Sequence, residues 1–354
     1  MGNPVAPPRP PSQPDPHSAP DEPAEVRGSH EIESGAPTVH TFLGMPAVIQ
    51  SAVMRRLLEF VERAARSRAA VLITGETGAG KELIARAIHQ YSRRSSRPWI
   101  DLNCAALPEL LLESELFGYE RGAFSGAMSS KPGLFELAHT GSVFLDEVSE
   151  LSPRMQVKLL RVLDGAPYYR LGGTRKISVD ARIIAATNQD LDQATVTGAF
   201  RRDLYHRLAQ LQVRVPPLRE RPEDVAPLAK FFLGQQEQEE HGPLWFSAAA
   251  LAALECHAWP GNVRELRNVV VQAAVIADEG VIEREHLPVT VRSAPPKAVT
   301  LEDLEREAIL RVLAETAGQQ QRAAEILGIS LRTLGRKLKA YNEERRQTHG
   351  RALR

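Results

Sequence analysis

The sequence predicts an α/β chain: a parallel sheet flanked by helices, then a smaller helical domain, then a short all-helical basic module. Three observations carry this. First, short β-like runs, AAVLITG (69–75), WIDL (99–102), SVFLD (142–146), ARIIAAT (181–187) and LQVRV (211–215), are separated by stretches of helical period. That alternation is the pattern of βαβ units. Second, strand signals stop after VPPLRERPED (215–224), and 222–288 reads as helices only, broken at 241–242 and 259–262. Third, residues 322–354 hold nine Lys/Arg against three Glu in a chain of zero formal net charge. Such asymmetry points to a polyanion partner for the last module alone.

The segments follow in order. Residues 1–40 are expected to be a disordered leader. Ten of the 25 prolines fall within 1–38, which carry six acidic and two basic groups and almost no bulky apolar side chains. Burial there cannot offset the entropy of ordering. Residues 41–221 form the α/β unit, opening with Val53, Leu57, Leu58 and Val61 at helical spacing. The helical unit spans 222–288, a linker 289–300, the basic helical module 301–345 and a basic tail 346–354. Cys104 and Cys256 cannot build a disulfide framework, and no CxxC is present, which fits a reducing, cytoplasmic setting. No apolar run reaches the roughly 18 residues of a membrane span. The first residues lack a signal-peptide pattern, and Ala6 breaks the myristoylation pattern.

GETGAGK, with Gly75, Glu76, Thr77, Gly78, Ala79, Gly80 and Lys81, has the GxxxxGK spacing between a predicted buried strand and a predicted helix. Glycines at these positions let backbone N–H groups face phosphates, the helix start favours anions, and Lys81 would neutralise the β- and γ-phosphates of ATP. Glu82 stands where a hydroxyl ligand to Mg²⁺ is usual. The metal therefore falls to another residue, with Glu82 acting through water. SVFLDE supplies it: at the end of an apolar strand, Asp146 would hold Mg²⁺ and Glu147 would polarise the attacking water.

ELFGYERGAFSGA (115–127) is harder to explain as packing, because a loop this rich in small residues cannot bury Phe124 by itself. In the tail, 319–341 reads as helix, tight turn at Gly328, helix. Leu331, Leu334 and Leu338 share one face and are expected in a core, leaving Arg332, Thr333, Arg336 and Lys337 directed elsewhere. Leu301, Leu304, Ala308, Val312 and Leu313 share a face of the preceding helix.

The motifs GETGAGKELIARAIH, LNCAAL, ELFGYERGAFSGA, VFLDEV, RIIAATNQDL, GAFRRDLYHRL, VPPLRERPEDV and WPGNVRELRNVV occur in this order. Over 41–290 and in the tail, the chain resembles the AAA+ activators of sigma-54 RNA polymerase, the bacterial enhancer-binding proteins. Glutamate after the phosphate-loop lysine is usual in that family. The resemblance implies an AAA+ ATPase with a helical lid, working as a ring, commonly a hexamer, with ATP and Mg²⁺ between subunits. Asn103 matches the residue that restrains the catalytic glutamate, here Glu147. Thr187 and Asn188 match sensor I, and Arg264 matches sensor II on the lid. Arg201 and Arg207 match arginines projected into the neighbouring site; on the residues alone they read as a basic surface helix.

The resemblance also answers for Phe124. Gly122, Ala123, Phe124, Ser125, Gly126 and Ala127 match the mobile loop, usually GAFTGA, whose ring-bearing residue touches sigma-54, and 165–176 matches its supporting loop. Ser125 replaces the usual threonine, keeping the hydroxyl and losing the methyl. The tail is similar to a Fis-type helix-turn-helix, whose second helix enters the major groove of double-stranded DNA. Gly335 departs from the bulkier residue common there and costs roughly 1 kcal/mol of helix stability. The function implied is an ATP-driven transcriptional activator that remodels sigma-54 RNA polymerase holoenzyme at promoters. The alternative is a DNA-binding repressor or accessory protein that keeps the ATPase fold without productive polymerase contact.

Overall fold

The structure is a computed structural model that describes residues 37–236, 244–277, 280–292, 309, 312, 316 and 319–338. It opens on an antiparallel hairpin, β1 (Thr38–Phe42) and β2 (Met45–Ile49), turned through Leu43 and Gly44 at positive φ. The expected leader therefore ends sooner than residue 40: Thr38, Val39 and His40 pair with Ile49, Val48 and Ala47. Ser51 caps helix α1 (Ala52–Ala65) by accepting from the Met54 N–H. Val53 is exposed, contrary to expectation, and the buried stripe is Met54, Leu58, Val61, Ala64 and Ala65.

Five parallel strands build the central sheet: β3 (Val71–Thr74), β4 (Trp99–Asn103), β7 (Ser142–Asp146), β8 (Arg182–Thr187) and β9 (Leu211–Arg214), in the order β4-β7-β8-β3-β9. Side chains alternate across each strand. Leu72, Val143, Leu145, Ile183 and Ala185 enter the core on one face. Val71, Ile73, Phe144, Ile184 and Ala186 enter the core on the other. Both faces are apolar because helices cover both. One core takes α1 and α2 (Lys81–Gln90), the other α3 (Glu109–Phe117), α5 (Pro153–Leu163) and α7 (Arg202–Leu208). Between α3 and β7 lie the short antiparallel pair β5 (Gly118–Tyr119) and β6 (Lys131–Pro132) and helix α4 (Leu134–Leu137); α6 (Leu191–Thr197) follows β8.

The lid has its own core. Helices α8 (Val225–Gln236), α9 (Ala248–Cys256) and α10 (Asn262–Ile276) pack around Trp259, whose indole N–H donates to the Leu254 carbonyl at 2.9 Å. It is not purely helical as expected: β10 (Trp245–Phe246) and β11 (Val281–Ile282) pair in parallel. Helix α11 (Val289–Arg292) extends the lid into the start of the predicted linker.

Helix α12 (Gln320–Leu327) ends at Gly328, φ 66°, and 331–338 is again helical, as the helix-turn-helix pattern predicts. Leu334 is buried with Ile309, Val312, Ala323 and Ala324, and Leu338 packs against them. Leu331 is exposed, which corrects its place in the predicted core face. Residues 1–36, Leu301, Leu304, Ala308, Leu313 and the tail 346–354 lie outside the described residues. Among the described residues, no helix is long and apolar enough to cross a membrane.

Candidate functional site

In a parallel sheet every strand ends at the same edge, and ligand sites gather where the strand order reverses. Here β3 lies between β8 and β9, so the loop after it faces the ends of β7 and β8. That loop, 75–80, holds Gly75, Gly78 and Gly80 at φ 159°, 75° and 105°. The last two values are left-handed and favour glycine. A Cβ on Gly80 would meet nothing within 4 Å, so the loop encloses open space at the N-terminus of α2. An anion fits there by backbone geometry and dipole.

Lys81 begins α2 and is only 7% exposed. Its Nζ donates to the Gly75 carbonyl at 3.0 Å and lies 3.4 Å from Glu147 Oε1. Glu147 follows β7 at φ 51°, ψ 50°, a conformation costly for a non-glycine residue and concentrated at functional sites. Its second oxygen accepts from the Asn188 N–H at 3.2 Å, and Asn188 Nδ2 donates to Thr77 Oγ1 at 3.0 Å. Lys81, Glu147, Asn188 and Thr77 thus form one connected group drawn from three strand ends. Asp146 accepts from the Glu147 N–H at 3.1 Å. Burial, and then the Glu147 and Glu82 carboxylates, hold its carboxyl above the ordinary range, an excess of negative charge suited to a cation. Among the described residues no three metal-ligating side chains cluster. Asp146 with nucleotide phosphates is the donor set that suits Mg²⁺.

Several predicted residues sit differently from expectation. Asn103 donates towards Asp146 Oδ2 at 3.5 Å and accepts from the Ala105 N–H at 2.8 Å, so its partner is Asp146 rather than Glu147. Thr187 is fully buried and bonds Ser149 at 3.0 Å, so of the two it is Asn188 that faces the loop. Glu82 is paired with Arg86 at 2.7 Å. Glu76 is turned from the phosphate cradle to Arg219, at 2.8 and 2.5 Å, and to Asn262 at 3.1 Å. Arg219 chiefly, then Asn262, pull its carboxyl down to about 2. The sequence reading missed both partners, although each lies in a motif it quoted.

The lid closes against the loop. Arg264 stands on the first turn of α10, and a Cβ on Gly78 would come within 3.0 Å of its Cβ. Arg201 precedes the first residue of α7 and grips Asp203 through two bonds at 3.0 and 2.7 Å; Arg207 pairs with Asp164 at 2.8 Å. Both arginines are exposed, and among the described residues neither shares a partner with the Lys81–Glu147 group.

Phe124 is 43% exposed and leans edge-on against Tyr119, ring centroids 5.0 Å apart. Gly122 and Gly126, φ 80° and 102°, close its loop, with Gly122 N–H donating to the Ala127 carbonyl at 2.9 Å. Ala123 packs against Gly172, so 165–176 does support the loop. Arg170 fastens the two by pairing with Glu120 at 3.1 Å and Glu136 at 2.7 Å. On the 331–338 helix, Arg332 and Arg336 are exposed, and Thr333 and Lys337 are half-buried. The Ser330 hydroxyl caps this helix by accepting from the Thr333 N–H at 3.1 Å.

Comparison with known proteins agrees with this geometry. Residues 47–214 match the sigma-54 interaction domain, 219–304 the AAA+ ATPase lid domain, and 300–341 the bacterial regulatory proteins of the Fis family. The Nif-specific regulatory protein of Azotobacter vinelandii is 42% identical over 328 residues, covering 90% of this chain and 61% of that protein. The transcriptional regulatory protein FlbD of Caulobacter vibrioides is 42% identical, covering 84% of this chain and 70% of that one. The crystal structure of NtrX from Brucella abortus in complex with ATP superposes with a TM-score of 0.65 at 38% identity, covering 83% of this chain and 68% of that one. An AAA+ sheet and lid, a loop bearing Phe124 and a Fis-type helix-turn-helix occur here in one polypeptide. The chain belongs to the sigma-54-dependent transcriptional activators, the enhancer-binding proteins.

Proposed function

We propose that this chain hydrolyses ATP as a ring of subunits, a hexamer, in the cytoplasm, and uses the energy to remodel the sigma-54 RNA polymerase closed complex into an open complex. It binds double-stranded DNA upstream of the promoter through 319–338, with Arg332, Thr333, Arg336 and Lys337 facing phosphates and base edges.

The loop amides and Lys81 bind and orient the phosphates. Glu147 orients the attacking water and accepts its proton. Asn188 senses the terminal phosphate. Asp146 would hold Mg²⁺, which supplies charge neutralisation at the phosphate oxygens. Arg264 reaches from the lid, and Arg201 and Arg207 serve the neighbouring subunit's nucleotide, which makes turnover depend on assembly. Phe124 delivers the motion to sigma-54. Its ring offers a small apolar contact, about 2 kcal/mol when buried.

The observation that carries this reading is the continuity of the chain from pocket to loop. Asn103, bonded to Asp146, closes β4, and α3 runs on to Gly118 and Tyr119, against which Phe124 rests. A change at the phosphates would be carried along this segment to the exposed ring. The test is open-complex formation in vitro with sigma-54 holoenzyme and hydrolysable ATP. Melting of the promoter only with hydrolysable ATP is expected; no melting at high protein concentration would favour a DNA-binding regulator instead.

A further inference from the structure

Four consecutive loop residues are held from the lid side. The Glu76 carboxylate is clasped by Arg219 at 2.8 and 2.5 Å. Asn262 Nδ2 donates to the Thr77 carbonyl at 3.2 Å, the Val263 N–H to the Gly78 carbonyl at 3.1 Å, and Arg221 to the Ala79 carbonyl at 2.6 Å. In a planar trans peptide, the carbonyl of one residue and the N–H of the next point in opposite directions. Drawing the Thr77 and Ala79 carbonyls towards the lid therefore turns the amides of Gly78 and Gly80 away from it, into the cradle. The intervening amide is used inside the loop, Ala79 N–H to the Glu76 carbonyl at 3.2 Å.

Asn262 is built for this joint. It is fully buried, at φ 54°, a left-handed value that asparagine tolerates better than most residues. Its Oδ1 accepts from the Leu218 N–H at 2.7 Å, which fixes the amide plane, while Nδ2 serves Glu76 and Thr77. The approach is close: a Cβ on Gly78 would lie 2.5 Å from the Gly261 carbonyl oxygen. Such a polar joint can be made and broken without opening either core.

We infer that the lid is part of the phosphate cradle, with Asn262, Arg219 and Arg221 as positioning residues that aim the Gly78 and Gly80 amides. Lid docking and phosphate affinity are then one equilibrium seen from two sides. The inference rests on the proposed ATP chemistry, and extends it from the side chains that touch the nucleotide to the groups that orient the loop.

The test uses the full chain and two variants. Asn262→Gly removes the side chain and accepts the positive φ. Arg219→Gln removes the clasp at an exposed position where folding is not at risk. ATP and ADP binding is measured by calorimetry, and amide exchange at residues 76–80 without nucleotide. Asn262→Gly should weaken both nucleotides about tenfold, the worth of one buried hydrogen bond. Arg219→Gln should weaken them about threefold. Exchange at Ala79, whose N–H bonds the Glu76 carbonyl inside the loop, should quicken in each, with the urea midpoint of Arg219→Gln held. Wild-type affinity and exchange in Arg219→Gln, and in Asn262→Gly if it folds, would overturn the inference. Faster exchange in variants of a chain that binds neither nucleotide would instead sink the functional reading and leave the lid–loop coupling standing.

Discussion

Lys81 Nζ lies 3.4 Å from Glu147 Oε1, joining the start of α2 to the end of β7 across a largely buried gap. An ammonium in this place is shared between the loop carbonyls and the carboxylate, so the two side chains should separate binding from chemistry when altered singly. Glu147→Gln keeps the volume and the acceptor for the Asn188 N–H while removing the base. ATP binding should persist and steady-state hydrolysis fall at least a hundredfold. Lys81→Ala should lose nucleotide binding itself, measured by the same titration.

Phe124 leans edge-on against Tyr119 and keeps 43% of its surface exposed. Phe124→Ala should leave ATPase turnover within about twofold and abolish open-complex formation, since an exposed side chain adds little to folding. A lost ATPase in that variant would place the ring in the hydrolytic machinery instead.

Arg201 is exposed, and its own-chain partner is Asp203. Arg201→Ala should cost a thousandfold or so in hydrolysis, the scale of an arginine supplied in trans, while ATP binding to dilute protein is kept. Turnover per subunit in the wild type should rise steeply with protein concentration. A flat curve would remove the argument for shared sites.

His89 is fully buried, bonded through Nδ1 to Ser142 at 2.9 Å and tilted against Trp99. Burial pushes its imidazole below the ordinary value. The unfolded chain takes up a proton near pH 6.5 that the folded chain resists. Stability contributed by neutral His89 is therefore present above that pH and lost below it, by up to about 1.4 kcal/mol per pH unit until the folded group itself titrates. Urea midpoints at pH 7.5 and 5.5 should differ more in the wild type than in His89→Gln.

Arg182 is buried and has no carboxylate partner among the described residues; its guanidinium donates to the carbonyls of Ala64, Ala65 and Ala69 at 3.0, 2.7 and 3.3 Å. It closes the C-terminus of α1 from the first residue of β8, and burial lowers its pKa to about 10. Arg182→Leu leaves these carbonyls unsatisfied and should cost about 3 kcal/mol in urea denaturation, with the nucleotide affinity of the folded fraction unchanged.

Local pattern made the five sheet strands legible, because each is a short β-rich run bounded by glycine or polar residues. The phosphate loop was legible for the same reason, its glycines being demanded by backbone conformation. The hairpin was not, since Thr38–Phe42 abuts proline-rich sequence and has only one strongly buried side chain, Phe42. The lid's strand pair was hidden because Trp245 and Val281 meet only in the tertiary fold. Helical periodicity could not tell Val53 from Met54 as the buried member. Arg219 and Asn262 were in view as letters, but their grip on Glu76 depends on how the lid approaches the loop, which no local pattern encodes.

The strand order has a consequence for how the protein is made. β3 leaves the ribosome first of the five, yet it ends enclosed between β8 and β9, the last two to be synthesised. Until residue 187 has emerged, the segment leading to the nucleotide loop lacks both lateral neighbours, and until residue 214 it still lacks β9, which leaves an edge of Val71, Leu72 and Ile73 unpaired. Parallel pairing over such separations is slow and prone to mispairing. The nascent chain therefore passes through a long interval with this apolar strand incompletely paired, and premature termination within β8 or β9 should yield insoluble polypeptide rather than a partial ATPase.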